Sequence, residues 1–172
     1  MKNTFILSFI LIVSFSCRDE ELFPIPDILP GVFIIAEENT SSNSFNIADI
    51  ENTSYISRIG YQSDGFLTAT GIDLFIDYSG DEAGAVALKS ISAVEADGEN
   101  LSGIPETTIT SAEAASAFGL QPSDLNEGDS FTITFAINLE DGRTINQWNN
   151  GFGSVCDSRT PGICNITINV SN

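Results

Sequence analysis

The chain has 172 residues, with 24 Asp and Glu against six Lys and Arg, no histidine, and a formal charge of −18. Such an acidic surface repels phosphate backbones and anionic lipid, so nucleic acid is excluded as a partner. The missing histidine excludes histidine-based triads, general bases and metal sites.

In chain order, Met1-Lys2-Asn3 is a short positive start, and residues 5–15 (FILSFILIVSF) are apolar apart from serines. Ser16-Cys17 follows, then Arg18-Asp19-Glu20-Glu21. A charged start, a short apolar run and a small residue describe a secretory signal. The run is shorter than the roughly 20 residues that span a bilayer. The cysteine directly after Ser16 resembles the lipobox of bacterial lipoproteins, and the loose upstream positions and acidic patch resemble surface-exported lipoproteins of the Bacteroidota. An ordinary cleaved signal with an incidental cysteine and an uncleaved anchor are the competing readings. The resemblance implies a signal over residues 1–16 and lipidation (palmitate) on Cys17. It places the protein at the outer membrane, lipid-anchored and facing the cell surface. Cleavage removes Lys2 and no acid, leaving five cations against 24 acids, or −19.

Residues 17–30 read as an acidic, Pro-rich tether, because Pro24, Pro26 and Pro30 prevent a helix and favour an extended spacer. Residues 31–172 form one domain whose dominant period is two. Strands are predicted at 32–35, 44–50 and 55–61. The long run 66–78 sets Ile72, Leu74, Ile76 and Tyr78 on one face and Asp73 and Asp77 on the other. A strand at 86–94 slips phase between Leu88 and Ile91, which predicts a bulge. Residues 96–104 read as a polar loop and 105–110 as a short strand.

One helix is predicted at about 111–118. Thr110-Ser111-Ala112-Glu113 is a capping box, and Gly119 is the stop. Residues 122–125 suggest one further turn. Gly128-Asp129 opens the clearest strand, with Phe131, Ile133, Phe135, Ile137 and Leu139 alternating with smaller or polar residues. A hairpin with Asp141-Gly142 at its centre is predicted to lead into a strand at 144–148. Ile166, Ile168 and Val170 mark a closing strand. Eight or nine strands with regular turns and one helix give an all-β sandwich, not an α/β sheet.

The stretch 107–143, with its capped Ala-rich helix, Gly119-Leu120, Asp124-Leu125, Gly128-Asp129, aromatic strand and Asp141-Gly142-Arg143, resembles uncharacterised Bacteroidota lipoproteins. Those are similar to immunoglobulin-like domains of glycan-uptake lipoproteins in SusC/SusD-type systems (SusE-like). The resemblance covers about 40 residues plus the signal. It implies an immunoglobulin-like antiparallel β-sandwich, and a non-catalytic binding or accessory module for nutrient uptake. A structural or protein-interaction lipoprotein without a small ligand is the alternative. An envelope protein or a glycan is the implied partner, besides the membrane.

Cys156 and Cys164 are an even pair in an exported domain, which argues for a disulfide. So small a loop stabilises by about 2.5 kcal/mol on chain-entropy grounds. Catalytic candidates are few. Lys89, the single lysine after Lys2, sits in a strand, and no Gly-rich phosphate loop occurs. Paired carboxylates are the one catalytic device left, and with 24 acids such pairs arise by accident. The chain is therefore read as no enzyme. Two binding candidates remain. Asp73, Asp77, Asp81 and Glu82 are oxygen donors for calcium, weighed against a solvated strand face. Trp148, Asn149, Asn150 and Phe152 join aromatics to amides, as sugar-binding surfaces do, weighed against Trp148 filling the core.

Overall fold

The computed structural model describes residues 31–38, 44–63, 65, 67–82, 84–98, 100–146 and 165–172. The signal, the tether, Cys17, Trp148, Asn149, Asn150, Phe152, Cys156 and Cys164 lie outside them.

Two sheets pack face to face with one short helix, an all-β sandwich. The first sheet has the order β1 (Val32–Glu38), β3 (Ser54–Ser63), β6 (Glu106–Thr110). The second runs β2 (Ser44–Asn46), β9 (Ile166–Ser171), β7 (Ser130–Leu139), β4 (Ala69–Tyr78), β5 (Val86–Ser92), with β8 (Thr144–Asn146) also on β7. β9, β7 and β4 form the centre of the larger sheet. One pair departs from the antiparallel expectation: β2 runs parallel to β9. The chain reaches β2 by changing sheets, so it arrives in the direction of β9.

The period-two reading places the core correctly. Ile72, Leu74, Ile76 and Tyr78 of β4 are buried, as are Phe131, Ile133, Phe135, Ile137 and Leu139 of β7. Ile34, Ile59 and Ile109 close over them from the first sheet. Each such side chain contributes about 1.5–3 kcal/mol on burial. The ring of Phe131 meets Phe45 edge-on at 5.8 Å and stacks on Tyr78 at 5.0 Å. The bulge falls at Leu88: Leu74 lies opposite Lys89 and Phe75 opposite Ala87, so Leu88 is the extra residue.

The helix, α1 (Ser111–Ser116), is capped as the sequence requires. Thr110 Oγ1 accepts from the Glu113 amide at 3.0 Å, and Glu113 Oε2 accepts from the Thr110 amide at 3.0 Å. The amides of Gly119 and Leu120 donate back to the carbonyls of Ser116 and Ala115, a Schellman closure. A 3₁₀ turn at Pro122–Asp124 follows.

Three local expectations are corrected. Strand 44–50 stops at Asn46, whose Oδ1 accepts from the Ala48 amide at 2.9 Å and turns the chain into a 3₁₀ turn. The β7–β8 connection is a three-residue loop, Glu140-Asp141-Gly142, closed by the Leu139 amide on the Arg143 carbonyl at 2.9 Å. A two-residue Asp-Gly turn needs positive φ at both positions; only Gly142, at +83°, has it. Residues 96–104, expected as a polar loop, belong with Val94 and Glu95 to an arch (94–98 and 100–104) over the outer face of the first sheet. Ala96, Leu101 and Ile104 are buried there with Ile35 and Val94 against them. The arch is tied to β3 by the Tyr61 amide on the Val94 carbonyl and the Ala96 amide on the Tyr61 carbonyl. Gly60 makes the approach possible: a Cβ there would lie 2.1 Å from Ile104 Cδ1 and 2.9 Å from the Val94 carbonyl oxygen.

Candidate functional site

The arch borders a concavity. Beside it, on the outer face of β1 and β3, runs an open groove of about 740 Å³. Phe33 and Ile35 of β1 and Leu101 of the arch give it apolar surface; Gln62, Asn100 and Ser102 give it amides and a hydroxyl. These side chains point outward because β1 and β3 turn Ile34, Ala36, Ile59 and Tyr61 inward.

At the groove's far end stands Arg58. Its Nη1 donates to Glu37 Oε2 at 3.0 Å and its Nη2 to Glu106 Oε1 at 2.9 Å, so two carboxylates bracket one guanidinium across β1, β3 and β6. The other described cations are engaged as well. Lys89 Nζ donates to Glu113 at 3.1 Å and to the Thr108 carbonyl, and Arg143 Nε donates to Asp141 Oδ2 at 2.7 Å. Burial works to raise the Glu113 carboxyl, but the bonds from Thr110 and Lys89 outweigh it and hold the group low. The described surface thus offers no unpaired cation to an anionic ligand. The groove suits neutral or cationic chemistry.

The calcium candidates are placed apart. Asp73 and Asp77 share the outward face of β4, as expected, but four residues along a strand span about 13 Å. Asp81 and Glu82 are exposed beyond its end. Among the described residues, no three of His, Cys, Asp or Glu gather closely enough to hold a metal ion. Both oxygens of Asp73 are occupied instead: Ser90 Oγ donates to one and Asn138 Nδ2 to the other at 2.8 Å. Thr144 Oγ1 continues the chain onto Asn138 Oδ1 at 2.8 Å. This polar ladder crosses β5, β4, β7 and β8, and the Ser90 and Asn138 donors hold the Asp73 carboxyl below its usual range.

Tyr78 is perturbed as well. Burial, then the adjacent Asp129 carboxylate, pushes its phenol up to about 12. Its hydroxyl donates to Asp129 Oδ2 at 2.8 Å, which also accepts the Asn126 amide, so the pair anchors the turn before β7. This phenol stays protonated across the physiological range and serves structure.

The binding candidates Trp148, Asn149, Asn150 and Phe152 lie outside the described residues, as does the Cys156–Cys164 pairing. Sequence reasoning missed the groove. Its one signal was Gly60 inside a strand, since such a glycine marks close approach of another backbone. No protein-family model matches the chain, and no curated protein matches it. Among the described residues no helix is long and apolar enough to cross a membrane.

Proposed function

We propose that the chain is a cell-envelope lipoprotein, held at the outer membrane by lipid on Cys17. Its sandwich is a non-catalytic binding or accessory module in nutrient uptake, with glycans as the nutrient class. The observation that carries this reading is Cys17, set directly after the small Ser16 at the end of an eleven-residue apolar run. The Pro-containing tether supports it by supplying a spacer between lipid and domain. The absence of histidine and the pairing of every described cation support a non-catalytic role, since both remove common means of proton transfer and charge stabilisation.

The alternative, a protein-interaction lipoprotein without a small ligand, is favoured by one observation: β1 leaves a long side unpaired among the described residues. Membrane fractionation tests the common part of both readings. Wild type is expected in the outer-membrane fraction and to be cut by protease added to whole cells; Cys17→Ser is expected in the soluble fraction. Equal partitioning of the two proteins would refute lipid anchoring.

A further inference from the structure

Sheet edges in natural proteins are protected, because unpaired strand backbone recruits other strands. Among the described residues, β1, β2, β5, β6 and β8 each have one unpaired side. Four of them carry a protecting device. β2 and β8 are three residues each. β5 is bulged at Leu88 and bears Lys89. β6 has five residues, and its Thr108 carbonyl accepts the Lys89 ammonium. Residues 94–96 continue that side of β3 beyond β6.

β1 is the least protected: its charged residues, Glu37 and Glu38, are confined to its last two positions. It is seven residues long, pairs one-to-one with β3 from Val32 to Glu38 without a bulge, and contains neither lysine nor proline. Val32, Ile34 and Ala36 are buried inward, which fixes the register of the strand. Beside it lies the groove with Phe33, Ile35, Gln62 and Asn100, ready to take alternate side chains of a neighbouring strand.

We propose that β1 is a strand-addition site: an extended segment of a protein partner, carrying lysine or arginine, pairs along Val32–Glu38 and extends the first sheet. Charge selects this occupant. The exposed Glu37 and its neighbour Glu106 share one guanidinium and leave net negative charge at the end of β1. A second copy of the mature chain would bring another −19 against it. A basic segment is attracted. The site deepens the protein-interaction reading and rests on it. Membrane fractionation tests anchoring separately, so failure of strand addition leaves lipid attachment standing.

The test uses the full mature chain in detergent and a short peptide of alternating threonine and valine with a lysine at each end. Backbone amide exchange is followed by mass spectrometry. The peptide is expected to slow exchange in residues 32–38 and nowhere else. A twin N-methylated at the amides facing β1 is expected to bind about tenfold more weakly or worse, as loss of two or more hydrogen bonds requires. Glu37→Gln is expected to weaken the lysine peptide about two- to fivefold, the range of an exposed ion pair. The proposal is overturned if residues 32–38 are unaffected, or if the N-methylated twin binds equally. It is also overturned if the chain dimerises through residues 32–38 without peptide, or if a neutral glucan and not the peptide protects them.

Discussion

Gly60→Ala puts the packing of the arch to a quantitative test. The added Cβ would sit 2.1 Å from Ile104 Cδ1 and 2.9 Å from the Val94 carbonyl oxygen. Ile104 can swing its terminal carbon away at the cost of a rotamer change. The carbonyl belongs to backbone bonded to the Tyr61 amide at 3.1 Å, so moving it strains the arch. Overpacking of this kind costs about 1–3 kcal/mol. Loss of glycine freedom in the unfolded chain returns about 0.4–1 kcal/mol. The net expectation is a destabilisation of about 1–2 kcal/mol, or a fall in Tm of about 3–6 °C for a domain of this size. Urea unfolding followed by circular dichroism measures it. Ile104→Ala alone is expected to cost about 2–4 kcal/mol. The double variant is expected to cost about 1 kcal/mol less than the sum, because the side-chain clash is gone and the carbonyl clash remains. A neutral Gly60→Ala, or strict additivity in the cycle, would refute the packing of the arch on β3.

Three further outcomes are expected. Thr110→Ala removes the acceptor for the Glu113 amide and is expected to cost about 1 kcal/mol, with Thr110→Ser close to wild type by thermal unfolding. Phe131→Ala empties the centre of the aromatic cluster and is expected to cost about 3–5 kcal/mol by urea unfolding. The Asp73 carboxyl is held below its ordinary value of 3.8, so its stabilisation is present above that pH and is lost as pH falls through the lower folded value. Urea midpoints measured from neutral pH downward are expected to fall less steeply below pH 3.8 in Asp73→Asn than in wild type; identical acid limbs would show that the ladder does not stabilise the charged form.

What was legible in the sequence follows the range of each interaction. Alternation in 72–78 and 131–139 exposed the core, because strand side chains repeat every two residues. The Thr110–Glu113 box and the phase slip at Leu88 were legible because both are short-range. The parallel β2–β9 pair was hidden, since it depends on where the chain re-enters the second sheet. The arch was hidden because Ala96, Leu101 and Ile104 follow neither period, and their partner Gly60 lies 36 or more residues away. The acids of β4 show the opposite error. Their shared face was read correctly, but strand rise separates them and Ser90 and Asn138 already occupy Asp73.

The most direct measurement is the intact mass of the mature protein taken from membranes, with sequencing of its first peptide. The expected result is a chain beginning at Cys17 and heavier than its sequence by two or more acyl chains, the number that stable anchoring needs. A mature chain that begins elsewhere, or a Cys17 of unmodified mass, would contradict the account.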